Sequence, residues 1–129
     1  MSTTPGTKPY LDEADQRLTV TETGRRRDVV RVAVTGDLDI ATTALFHRRL
    51  SNILDNHLDG QPLELDLSAL VFCDLTGLRA LHTLGRAYGQ AQRRVQITTA
   101  GPALDVLLGL CQTSTILGYT PTPDPRKAD

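Results

Sequence analysis

The stretch "LVFCDLTGLRAL", residues 70–81, decides how the chain is read. Apolar residues lead into one acid, one hydroxyl and one glycine, and from about Thr76 the spacing becomes that of a helix running to Gln90. On that helix Leu78, Leu81, Leu84 and Tyr88 share one side, while Arg79, Thr83, Arg86 and Gln90 fall opposite. Thr76 leans toward the polar side, in the first turn, within reach of solvent. Asp74 stands two residues earlier, where a carboxylate accepts hydrogen bonds from the open N–H groups of a helix start. Gly77 carries no side chain, so the backbone of another molecule can approach closely there. Two readings fit this junction. In one, Asp74 is an N-cap, Thr76 a tolerated first-turn residue and Gly77 a packing residue against a sheet. In the other, Thr76 is a switch: a phosphate there adds about −1.5 to −2 charges where the helix N-terminus tolerates them, next to an acid that repels them.

Outward from the junction, the chain alternates strand and helix patterns. "RLTVTETG" and "VVRVAVTG" place apolar residues two apart, Leu18 and Val20, then Val30, Val32 and Val34. The intervening "TGRRRD" suits a hairpin turn, which makes the pair antiparallel and puts Arg25, Arg26 and Arg27 at a solvated loop tip. Next, Phe46, Leu50, Ile53, Leu54 and Leu58 recur at helical spacing, with Asp39 or Thr42 as the cap and Gly60 and Pro62 at the exit. "LELDL" reads as a strand, as does "VQIT"; "GPALDVLLGL" reads as a helix with Pro102 in its first turn, where the missing N–H costs nothing. A last apolar piece, "TILGY", is expected as an edge strand. The order predicts one α/β domain, a mixed β-sheet flanked by helices, over residues 14–119. The Thr-, Pro- and Gly-rich residues 1–13 and the Pro-rich residues 120–129 are expected as disordered tails.

Composition narrows the function. Lys and Arg number 14 against 15 Asp and Glu, so no global field gathers nucleic acid or an anionic membrane, and neither is an expected partner. No apolar run approaches the ~20 residues needed to cross a bilayer, and the start lacks the pattern of a signal peptide, so a cytoplasmic protein is expected. Cys73 and Cys111 have no ligand-spaced neighbours and read as small apolar residues. His47, His57 and His82 lie apart on two expected helices without a carboxylate at ligand spacing, which argues against a metal. No Gly-rich phosphate loop is present, so no cofactor is expected. Asp37, Asp39, Asp66 and Asp74 could in principle form a paired-carboxylate site, but Asp66 alternates with leucines along its strand and acids at strand exits often serve as caps. Ser68 reads as a turn residue.

Three ordered segments, "VAVTGDLDIAT", "LELDLSALVFCDLTGLRAL" and "QITTAGPALDVLLGL", together resemble the STAS domain of bacterial anti-sigma factor antagonists, over about residues 14–119. The resemblance implies a STAS-like mixed sheet flanked by helices. It makes Thr76, immediately before Gly77, the phosphoacceptor and Asp74 its acidic neighbour, and it matches Gly36, Asp37, Leu38 and Asp39 to a turn lying beside the acceptor loop. It further implies a non-enzymatic protein that binds an anti-sigma factor with Ser/Thr kinase activity, frees a sigma factor, is switched off by phosphorylation and is reset by a phosphatase. The partner surface so implied contains Asp37, Asp39, Asp74, Leu75, Thr76, Gly77, Arg79 and Thr83. Three features depart from the family pattern: Leu75 stands where Ser is usual, the acceptor is Thr where Ser is commoner, and "GLCQTS" lacks the Thr-Gly often found after the third helix. The alternative implied by the same likeness is a STAS subunit regulating the ATPase of a lipid-transport complex.

Overall fold

A computed structural model describes residues 16–26, 28–112 and 115–121. Among the described residues, five strands, β1 (Leu18–Arg26), β2 (Val29–Leu38), β3 (Leu63–Leu67), β4 (Leu70–Cys73) and β5 (Val95–Ala100), form one sheet, with the helices α1 (Thr43–Leu54), α2 (Leu75–Gln90) and α3 (Pro102–Leu110) beside it. The sheet runs β1-β2-β3-β5, with β4 paired to β2 beyond the end of β3. Only β1 and β2 are antiparallel; β2 with β3, β2 with β4 and β3 with β5 are parallel, as helical crossovers require. The expected mixed sheet with flanking helices is therefore the fold.

Strand alternation sets which face holds the core. Val30, Val32, Val34, Leu63, Leu65 and Leu67 are buried and meet Leu45, Phe46, Leu50 and Leu54 of α1, Leu78, Leu81 and Leu84 of α2, and Leu104 and Leu108 of α3 in one apolar cluster. Each such side chain contributes about 1.5–3 kcal/mol by leaving water. The residues between them point the other way. There Arg31 Nε pairs with Glu64 Oε1 at 3.0 Å. Asp66 Oδ1 accepts from Ser68 N at 2.9 Å, Ser68 Oγ at 2.6 Å and Thr99 Oγ1 at 2.6 Å. These bonds, the Ser68 hydroxyl first, hold the Asp66 carboxyl below the usual range. Asp66 and Ser68 thus build the turn from β3 into β4, so this acid is part of the fold's joinery.

Several expectations change. Residues 70–73, an apolar run in the sequence, form strand β4, whose two central residues are both exposed, so no period of two is visible. The hairpin turn is tighter than expected: Arg25 and Arg26 pair with Val30 and Val29, and Gly24 marks an irregularity in β1 instead of the loop. Arg27 and the side chains of Arg25 and Arg26 lie outside the described residues, as do both expected tails, 1–13 entirely and 120–129 beyond residue 121. Leu58 lies past the end of α1 and is exposed. Its carbonyl and that of Gln61 accept from the buried Arg93 guanidinium, at 3.3 and 2.6 Å, which ties the α1–β3 connection to the α2–β5 connection. His57 pairs with Glu22 of β1, Nε2 to Oε2 at 2.9 Å. "TILGY" is no edge strand: Leu117 and Gly118 take positive φ, 48° and 79°, so Ile116 and Tyr119 bridge each other across a tight turn. One bond, Ile97 N to Leu117 O at 3.0 Å, joins that turn to β5.

Candidate functional site

The C-terminal ends of β2 and β4 lie side by side, Asp37 against Phe72 and Leu38 against Cys73. Each strand then feeds a helix, and the two helix starts meet there. Asp74, in extended conformation, is the N-cap of α2 and accepts from Gly77 N through Oδ1 at 2.9 Å. Leu78 N donates to Asp74 O at 2.9 Å. The N–H groups of Leu75 and Thr76, at the first two helical positions, fall outside the helical ladder.

Gly77 faces inward. A Cβ there would lie 2.3 Å from Leu38 O and 2.9 Å from Cys73 Sγ. The close approach expected of this glycine is thus with the chain's own β2 and not with a second molecule, because the helix start has to pass directly over the end of that strand. Thr76, next to it, is half-buried, and its hydroxyl has no hydrogen-bond partner among the described residues. Leu75 is 55% exposed, and Arg79 and Thr83 are exposed on the outer side of α2.

The turn after β2 is built differently. Asp39 is buried and does not cap α1; its Oδ1 accepts from Ala41 N at 2.9 Å and lies 3.3 Å from Thr42 Oγ1. Thr42, the N-cap of α1, makes no side-chain bond to the helix; its fully buried hydroxyl accepts from Asp39 N at 2.9 Å and donates to Asp37 O at 2.8 Å. Ile40, at the outside of the turn, is 76% exposed. Asp37 is partly exposed.

Sequence reasoning missed Arg17. Its Nε lies 3.3 Å from Asp37 Oδ2 and its Nη2 bonds Asp39 Oδ2, so one guanidinium bridges both acids of "GDLD". Those bonds, Asp39 first, raise its pKa above the ordinary arginine value. The signal for it is the hairpin register, since Leu18 stands opposite Gly36 and the preceding residue must then meet Asp37. Gly36 helps: its φ of 104° and missing Cβ leave room for Arg17 O, which a methyl group would approach to 2.0 Å. Cys73, beneath the two helix starts, has its thiol pushed up to about 12, by burial first and then by the charges of Asp74 and Asp39. It is held as a neutral packing group. Asp37, Asp39, Asp74, Leu75, Thr76 and Gly77 therefore stand at the same end of β2 and β4, with Asp39 and Gly77 facing inward, while Arg79 and Thr83 lie further along α2.

Among the described residues no group of His, Cys, Asp and Glu could hold a metal ion, and no helix is long and apolar enough to cross a membrane.

Comparison with solved structures finds the same fold in other proteins. The fold is similar to that of an anti-sigma factor antagonist from Mycobacterium paratuberculosis, with 22% identity and a TM-score of 0.63 over 81% of this chain and 86% of that one. It is also similar to the anti-sigma factor antagonist SpoIIAA in its unphosphorylated form, with 14% identity and a TM-score of 0.57 over 74% of this chain and 82% of that one. The murine anion transporter Slc26a9 contains the same fold as a small part, 14% of its chain, matched by 67% of this one at 22% identity and a TM-score of 0.55. No curated protein sequence matches. The family model described as "Mlab, STAS domain" matches residues 21–117, and the chain belongs to the STAS domain family.

Proposed function

We propose that this chain is an anti-sigma factor antagonist, a protein-binding switch without catalytic activity of its own. Unphosphorylated, it sequesters an anti-sigma factor that is also a Ser/Thr kinase and so frees a sigma factor in the cytoplasm; phosphorylated at Thr76, it lets go, until a phosphatase restores it. The observation that carries this reading is the Thr76 hydroxyl, unpartnered among the described residues at the start of α2, between exposed Leu75 and exposed Arg79. Two solved structures of similar fold bear the name of that function.

The chemistry follows from position. The open N–H groups of a helix start tolerate an anion, so a phosphate leaves the fold standing. It puts bulk and about −1.5 to −2 charges into the middle of a contact surface that already holds Asp37 and Asp74. Desolvating that charge without a partner cation costs several kcal/mol, enough to release a micromolar complex. The surface consists of the 37–43 turn, Asp74, Leu75, Thr76 and the Arg79 and Thr83 side of α2, with Asp39 and Gly77 supporting it from beneath.

Incubation with the cognate kinase and ATP should add one phosphate, mapped by mass spectrometry to Thr76. Label on Ser68 or Thr83, with Thr76→Ala still fully modified, would overturn the assignment. In calorimetric titration against the same partner, the phosphorylated form and Thr76→Glu should bind at least about tenfold more weakly, roughly 1.4 kcal/mol, while Thr76→Ala still binds. Capture of a membrane-associated ATPase complex in place of an anti-sigma factor would favour the transport-subunit alternative.

A further inference from the structure

We propose that Arg17 is a positioning residue of this face: by forking its guanidinium between Asp37 and Asp39 it fixes the 36–42 turn against the start of α2 and so sets the surface a partner meets around Thr76, given the reading of that face as a partner's docking site. Among the described residues, Arg17 is the one cation bonded to either acid. Asp39 is where the effect concentrates. One of its oxygens holds Ala41 N and lies against the Thr42 hydroxyl, and the other holds Arg17. Without the guanidinium that second oxygen has no counter-ion, so the carboxylate turns toward water and takes the first oxygen off Ala41 and Thr42. Thr42 in turn holds the backbone of Asp37 and Asp39.

The disturbance has a short path to the acceptor. Leu38, between the two acids, presents its carbonyl to the space beside Gly77 and accepts from Asp74 N at 3.3 Å. A turn that shifts carries Leu38 O with it, and Thr76 is the residue between Asp74 and Gly77. Arginine is required for geometry as well as charge, since a lysine ammonium reaches one carboxylate and cannot fork to two. The Arg17 side chain is itself 39% exposed, so water takes its place when it is removed and the sheet is left intact.

The test uses the whole chain as wild type, Arg17→Gln, Arg17→Lys, Asp39→Asn and the Arg17→Gln/Asp39→Asn double variant. The first measurement, amide hydrogen exchange, needs no partner. Arg17→Gln should raise exchange at residues 39–42 at least tenfold, leave Leu65 and Leu67 of β3 unchanged, and move the thermal midpoint by about 5 °C or less. The second is titration with the purified Ser/Thr kinase that binds wild type. Affinity should fall about tenfold in Arg17→Gln and recover in part in Arg17→Lys, and the double variant should be no weaker than Asp39→Asn alone. Unchanged exchange at 39–42 overturns the proposal. So does faster exchange with wild-type affinity, or a double variant whose losses add, which would make Arg17 a direct partner contact. If wild type binds no such kinase, the functional reading fails by itself, and the exchange experiment still decides whether Arg17 holds the turn.

Discussion

Two helix starts meet at the end of β2, and they use the same two kinds of side chain in opposite ways. At α1, the carboxylate of Asp39 and the hydroxyl of Thr42 are both buried; the hydroxyl makes its hydrogen bonds within the turn, and the carboxylate divides its own between the turn and Arg17. At α2, the carboxylate of Asp74 caps the helix and the hydroxyl of Thr76 is left without a partner among the described residues. A hydroxyl with all its bonds made inside a turn is structural. One with none made holds no part of its helix start in place. The difference teaches that the first helix start is held by its hydroxyl and the second by its carboxylate and by Gly77, so on the reading proposed above a phosphate on Thr76 would break no bond of the helix start.

The largest effect should come from closing the gap between the two. Gly77→Ala places a methyl group 2.3 Å from a backbone carbonyl that cannot swing away, so about 2–3 kcal/mol should be lost in urea unfolding despite alanine's better helix propensity. Gly89→Ala, on the same helix with open space around it, should instead gain up to about 1 kcal/mol. Equal outcomes for the two would mean that the helix start is not wedged on β2.

Exchanging the hydroxyls for methyl groups tests the contrast directly. Thr42→Val leaves Asp39 N and Asp37 O without their buried partner, at a cost of about 2 kcal/mol. Thr76→Val removes no bond among the described residues and should stay within about 0.5 kcal/mol of wild type. Thermal unfolding of the pair reads this, and a Thr76→Val loss as large as that of Thr42→Val would erase the distinction.

The smallest change concerns the cap. Asp74→Ala removes the acceptor of Gly77 N and should cost about 1 kcal/mol, measured by the same unfolding. No change would mean that Asp74 serves only as surface charge.

Much of this was legible along the chain. The alternation at Val30, Val32 and Val34 and at Leu63, Leu65 and Leu67, and the helical spacing of Leu78, Leu81 and Leu84, identified core faces that are buried as expected. Asp74 was legible as a cap because capping is local, decided within four residues. β4 was not, since its central pair Val71 and Phe72 is exposed on both sides of the strand and gives no period. The final turn at residues 116–119 was not, since its apolar residues resemble a strand until the positive φ at Leu117 and Gly118 folds it on itself.

By itself the sequence determined the single α/β layer order, the capped start of α2 and the placing of Thr76 on that helix's polar side, because each depends on spacing within a turn or a strand. Only the tertiary structure decided that Gly77 is closed off by Leu38, that Asp39 and Thr42 look inward, and that Arg17 joins Asp37 to Asp39. Of these, Gly77 with Leu38 and Arg17 with Asp37 and Asp39 join residues about 20 to 40 positions apart, and their geometry is fixed by the hairpin register and the parallel pairing of β2 with β4. No local pattern carries that register, because it is set by which whole faces bury together.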